Sequence, residues 1–201
     1  GEKIVINSHQ VYSASLIKLF VIQSVYKQIS DGTLKNSAKI EDWLTRMITY
    51  SDNDSWSSLA RKLGKGSYSR GMAYVTETAA ASGFKETGHF KKGKRKNYNF
   101  TSVEDCGNYL RMVLNGQIVS AEYSKKILDL MKQQQLRHKI PSGVPENVKT
   151  ANKTGELEYM QGDAAIVYAP SGTYILVIIG DSLENSYGQV YKFTELSETV
   201  Y

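Results

Sequence analysis

The feature that most restricts the fold is a change of pattern near residue 140. From Ser15 to Gln135 apolar residues recur at helical spacing, whereas from Val148 to Gly180 they gather into three short strand-like runs. A chain divided in this way packs a set of helices beside a small sheet. Leu16, Leu19, Phe20, Ile22 and Val25 predict a buried helix that opens at Ser15 and stops at Asp31-Gly32. Further helices are expected from Ile40 to Tyr50, from Asp54 to Leu63, from Ser67 to Ser82, from a Thr101 or Ser102 cap to Leu114, and from Ser120 to Gln135. Glu104 is placed for a capping box. Gly83 to Asn99 reads as a polar, basic, irregular loop, so everything from Ser15 to Gln135 is expected to be helical or loop.

After the turn-rich segment Ile140 to Pro145, strands are expected at Val148 to Lys153, Asp163 to Tyr168 and Thr173 to Gly180, with Pro170-Ser171-Gly172 turning the last pair. Val190, Phe193, Leu196, Val200 and Tyr201 give a closing helix that covers the sheet. The 201 residues are expected to form one domain, with a helical lobe at about 15–136 and an α/β lobe made of about 1–14 and 137–201. The longest unbroken apolar stretch, Ile175 to Ile179, is far below the roughly 20 residues needed to cross a bilayer. One cysteine, Cys106, and three scattered histidines, His9, His89 and His138, offer no disulfide and no metal pattern, so no cofactor or metal is expected. Cys106, on an apolar-periodic helix, reads as a small buried hydrophobe.

Chemistry is carried by three short patterns in order: Ser15-Leu16-Ile17-Lys18, Ser51-Asp52-Asn53 and Lys153-Thr154-Gly155. Ser15 and Lys18 lie one turn apart, about 5 to 6 Å between Cβ atoms. A serine hydroxyl needs a base, and a lysine serves only when burial lowers its pKa; the apolar neighbours Leu16, Ile17, Leu19 and Phe20 point to such burial. The helix start adds backbone N–H groups where an oxyanion develops. Ser51 can relay a proton to a leaving nitrogen, and Asn53 can hold a substrate amide. Lys153 and Thr154 offer a cation and a hydroxyl to a carboxylate, and Gly155 lets a ligand approach the backbone. Alone, S-x-x-K arises about once by chance in a chain of this length; all three patterns in order arise in about one chain in a thousand or fewer.

With these motifs, with Ile140-Pro141-Ser142-Gly143-Val144-Pro145 and with Gly162 to Tyr168, the chain resembles the class A β-lactamase branch of the serine penicillin-recognising enzymes from Ser15 to its last helix. The resemblance implies an antiparallel sheet flanked by terminal helices, a helical lobe, and an active site between them. It implies Ser15 as the acylated nucleophile, Lys18 as its base, Ser51 as proton relay and Asn53 as amide binder. Lys153 and Thr154 would take the carboxylate of a β-lactam or of a peptide ending in D-Ala-D-Ala, and the backbone N–H groups of Ser15 and Glu156 would form the oxyanion hole. Export beyond the bacterial cytoplasmic membrane is likewise implied.

Three departures from the family pattern carry expectations. No E-x-x-L-N pattern supplies the glutamate that activates the deacylating water; the nearest acid is Glu86, so release of the acyl group should be slow. Only 14 residues precede Ser15, leaving Ile4 to Ile6 and Val11-Tyr12 for the N-terminal strands, so the sheet should lack an edge that a partner strand could complete. Ser15 and Ser51 are 36 residues apart (51 minus 15), which implies fewer helices and a more open cleft. Alternatives within the same cleft are a D-alanyl-D-alanine peptidase and a non-hydrolysing β-lactam or wall-peptide sensor. The basic run Lys91, Lys92, Lys94, Arg95 and Lys96 reads as a solvated loop rather than a nucleic-acid patch, because no stacking aromatics are interleaved. Tyr98 and Phe100 read as anchors of that loop to the core.

Overall fold

The computed structural model describes residues 2–92 and 96–201; Lys94 and Arg95 of the basic run lie outside the described residues. A short strand β1 (Val11–Tyr12) runs into a 3₁₀ turn (Ala14–Leu16) and the helix α1 (Ile17–Ser30). Then come α2 (Ala38–Thr49), α3 (Asn53–Leu63), α4 (Tyr68–Ala81), the strands β2 (Gly88–Lys92) and β3 (Lys96–Thr101), α5 (Val103–Leu114) and α6 (Ala121–Met131). A second 3₁₀ turn (Ile140–Gly143) leads to β4 (Lys149–Leu157), β5 (Met160–Ala169) and β6 (Gly172–Gly180), and α7 (Tyr191–Val200) closes the chain.

The helix starts follow local chemistry. Asp52, Ser67, Ser102 and Ser120 each sit in extended backbone, and each side chain accepts a hydrogen bond from the N–H three residues on. The capping box expected at Glu104 does not form: the residue three beyond Ser102 is Asp105, and its carboxylate instead accepts from the Glu86 N–H at 2.9 Å and Thr87 Oγ1 at 2.8 Å. Glu104 pairs with Lys3. α1 is apolar nearly all round and is correspondingly buried, with Leu19, Val21, Ile22 and Val25 wholly inaccessible. Phe20 on α1 packs its ring 5.4 Å from Phe84 and 4.9 Å from Tyr109. Each such buried ring contributes about 2 kcal/mol or more. Cys106 is fully buried, as expected, and burial pushes its thiol up to about 12. Gly71 on α4 lets the helix press on α3, since a Cβ there would lie 1.7 Å from the Ala60 carbonyl oxygen.

The main sheet is antiparallel in the order β4-β5-β6. Two-residue turns, Glu158-Tyr159 and Pro170-Ser171, join the strands. Alternate residues of β5 face two ways: Ala164 and Ile166 join the helical core, while Ala165 and Val167 pack with Ile140, Val144 and Val148. α7 is tied to the second 3₁₀ turn by Ser197 Oγ, which donates to the Ile140 carbonyl at 2.8 Å.

Two expectations are corrected. Gly83 to Asn99 is not an irregular loop: β2 and β3 form a hairpin with His89 opposite Asn99 and Phe90 opposite Tyr98, and β1 adds to it through Val11↔Thr101 and Tyr12↔Phe100. The stretch from Ser15 to Gln135 is therefore not helix and loop alone. The alternation of Phe90, Tyr98 and Phe100 with His89, Asn97 and Asn99 is a strand signal that the low β-propensity of lysine and asparagine obscures. Val11-Tyr12 accordingly belongs to this small sheet rather than the main one, and Ile4 to Ile6 form no strand. Among the described residues β6 pairs on one side only.

Candidate active site

Ser15 sits in the middle of the first 3₁₀ turn, and the preceding residue, Ala14, has a φ of 45°. Left-handed backbone at a residue with a Cβ is strained, and here it turns the end of β1 into the helix that carries Lys18. Lys18 is 1% exposed. Its Nζ donates to Ser15 Oγ at 3.0 Å, the Ser51 carbonyl at 2.6 Å and Asn53 Oδ1 at 2.7 Å, and lies 3.2 Å from Ser51 Oγ. Burial lowers the Lys18 pKa to about 8, with Asp52 pulling in the opposite direction. A neutral amine beside a serine hydroxyl is thus accessible near neutral pH.

Ser51 also adopts left-handed backbone, with a φ of 59°, between α2 and α3. That geometry aims its carbonyl and its hydroxyl together at Lys18. Lys153, wholly buried on the edge strand β4, donates from Nζ to Ser51 Oγ at 2.9 Å and to the Thr154 carbonyl at 2.8 Å. Burial holds its pKa well below the usual lysine value, and the Lys18 cation pushes it further down. One hydroxyl therefore stands between two amines, and either can exchange a proton through it. Asn53, the first residue of α3, spends its amide oxygen on Lys18 and keeps its NH₂ for the cleft.

β4 lies against the nucleophile turn because of Gly155. A Cβ there would lie 2.9 Å from the Ser13 carbonyl oxygen and 3.1 Å from Leu16 Cγ. The backbone that Gly155 admits is thus the protein's own, a role in docking the strand that stands beside the one expected in ligand approach. Glu156 follows on the cleft wall, and its carboxylate is 3.0 Å from Lys139 Nζ and 3.1 Å from His138 Nε2. Partial burial raises the Glu156 pKa, but Lys139 and His138 together outweigh this and hold it below the usual carboxylate range.

A cleft of about 430 Å³ opens over these groups. Ser15, Lys18, Asn53 and Glu156 line it; Ser51 and Lys153 join it through the hydrogen bonds that tie Ser51 Oγ to Lys18 and to Lys153. Tyr12, expected only as a strand residue, and Trp56 and Tyr68, which carried no expectation, complete one side, and Tyr98, read as an anchor, also faces it. His89, Asn97 and Asn99 of the hairpin form the remainder. Glu86 is not among the lining residues; its backbone bonds to Asp105 and Gln10. Lys139 and His89 carried no sequence signal beyond their type, since a lone cation or imidazole acquires meaning only from what folds against it.

The profile of the beta-lactamase enzyme family matches residues 34–201, a span that includes Ser51 and Lys153 but begins after Lys18. A comparison with curated protein sequences finds no match. Solved structures are similar in fold: a beta-lactamase from Sphaerobacter thermophilus is 18% identical, with a TM-score of 0.82 over 96% of this chain and 82% of that one. PBP-A is 21% identical, with a TM-score of 0.82 over 96% of this chain and 81% of its own. A PBP-A variant was solved as an acyl-enzyme complex with penicillin G. The extended-spectrum beta-lactamase TLA-1 is 19% identical, with a TM-score of 0.83 over 100% of this chain and 87% of its own.

Proposed function

Because the chain belongs to the beta-lactamase enzyme family, we propose that it is a serine hydrolase that forms an acyl-enzyme at Ser15 with β-lactams and releases the product slowly. The observation that carries the reading is Lys18: its buried amine, titrating near 8, lies 3.0 Å from Ser15 Oγ and 3.2 Å from Ser51 Oγ. In its neutral form Lys18 takes the Ser15 proton as Oγ attacks the lactam carbonyl. The N–H groups of Ser15 and Glu156 receive the developing oxyanion. Ser51, between Lys18 and Lys153, passes a proton to the departing ring nitrogen. A substrate carboxylate supplies Lys153 with the directly bonded counter-charge it lacks and takes a hydrogen bond from Thr154, and the Asn53 NH₂ binds the side-chain amide. The lobe of about 15–136, its hairpin included, and the lobe of about 1–14 and 137–201 supply the walls. The edge of β6 that pairs with no strand among the described residues suits a further strand, and the substrates place the work outside the bacterial cytoplasmic membrane.

Slow release follows from the absence of a free carboxylate: among the described lining residues the only acid is Glu156, which is held by Lys139 and His138. Likeness to PBP-A favours a second reading, a penicillin-binding protein that cleaves D-alanyl-D-alanine peptides or only senses them. Intact-protein mass spectrometry after addition of benzylpenicillin tests the proposal. A Ser15 adduct that accumulates and then clears supports hydrolysis, and a permanent adduct supports the second reading. If no adduct forms, or if Ser15→Ala forms the same one, the acyl-enzyme reading is lost.

A further inference from the structure

Acylation leaves one pair of cleft side chains without a task. His89 on β2 stands directly opposite Asn99 on β3, and both line the cleft with Ser15 and Lys18. His89 Nδ1 lies 2.7 Å from Asn99 Oδ1. An amide oxygen can only accept, so Nδ1 carries a proton and donates it to Asn99, which leaves Nε2 as the ring nitrogen free of that bond. The residue is held from α4 as well: its backbone N–H donates to Thr76 Oγ1 at 2.8 Å, and Tyr68 meets its ring edge to face with centroids 6.0 Å apart. The path to the nucleophile is short, because the Ser13 N–H donates to the Asn99 carbonyl at 3.0 Å two residues before Ser15. Backbone pairing thus fixes the imidazole relative to the serine.

An acyl-enzyme is hydrolysed when a base takes a proton from the attacking water. Glu156 is engaged by Lys139 and His138, and Glu86 is not among the lining residues of the cleft. We propose that His89, with its tautomer fixed by Asn99, is the base that activates the deacylating water; the inference rests on the acyl-enzyme reading above. Water from solvent adds its oxygen to the acyl carbon and gives a proton to His89 Nε2. The intermediate then collapses, breaking the bond from the acyl carbon to Ser15 Oγ. The proton held by His89 returns to Oγ by way of Lys18, so water ends as hydroxyl on the acid product and hydrogen on the serine.

Clearance of the benzylpenicillin adduct from the full chain, followed by intact mass, tests this. In His89→Gln the adduct still accumulates and clears about 100-fold more slowly than in the unaltered protein. Asn99→Leu slows clearance by a smaller factor, and added imidazole speeds clearance in His89→Ala, a rescue that a purely structural role would not give. Clearance at the unaltered rate in His89→Gln overturns the proposal. So does an adduct on the unaltered protein that never clears, which leaves the acyl-enzyme reading intact; absence of any adduct overturns both. If His89→Gln fails to acylate, clearance in Asn99→Leu decides: an unaltered rate there overturns the proposal, and a slower one supports it.

Discussion

Two wholly buried lysines, Lys153 on β4 and Lys139 packed against it, have surroundings that differ in kind. Lys139 donates to the carbonyls of Gly155 at 3.3 Å and Gly162 at 3.2 Å and pairs with the Glu156 carboxylate at 3.0 Å. Burial lowers its pKa, but Glu156 and the buried Asp163 oppose the shift. Lys153 bonds a hydroxyl and a carbonyl rather than a carboxylate, and burial and the Lys18 cation lower its pKa while Asp163 and Glu156 oppose the shift without a direct bond. A buried ammonium with a carboxylate partner is held charged and acts as a fastener, whereas one without such a partner is driven toward the neutral amine and can move protons. Lys18, bonded to two hydroxyls, a carbonyl and an amide oxygen, belongs with Lys153.

The contrast is sharpest at Lys18. Lys18→Met is expected to lower the rate of benzylpenicillin acylation about 1,000-fold, roughly 4 kcal/mol, with a far-ultraviolet dichroism spectrum that does not change. A rate within tenfold of the unaltered protein would remove the distinction between fastener and proton carrier. Lys139→Met should act on stability instead: leaving Glu156 and Asp163 without their cation costs about 3 kcal/mol in urea unfolding. An unchanged midpoint would mean that the buried pair breaks even.

Gly155→Ala probes the strand that both lysines share. The new methyl meets the Ser13 carbonyl, and a loss of about 2 kcal/mol in urea unfolding is expected, together with slower acylation. The smallest expected effect is that of pH. Because the Lys18 pKa lies near 8 rather than 10.5, the neutral amine is scarce below pH 8, so acylation should rise about tenfold per pH unit up to about 8 and then level off. The same shift makes folding less favourable below pH 8 and relieves that cost between about 8 and 10.5, where the unfolded chain binds more protons than the native one. A flat profile from pH 6 to 9 would show that Lys18 is not the base.

Much of this was legible along the chain, because much of it is local. Asp52, Ser67, Ser102 and Ser120 announce their helices, since a cap needs only one side chain and an N–H three residues away. The apolar spacing of α1 announces its burial, and the spacing of Ser15 and Lys18 announces their contact. The hairpin was not legible: its strands are rich in lysine and asparagine, and what stabilises them is pairing with β1, distant in sequence.

The sequence by itself determined which residue types stand at the helix starts, the serine-lysine turn and the strand edge, because each is fixed by neighbours within a few positions. Only the tertiary structure decided which lysine is paired with a carboxylate. Lys139, Lys153 and Lys18 are alike as residues, and their protonation depends on whether folding brings a carboxylate or a hydroxyl to within about 3 Å in a site from which water is excluded.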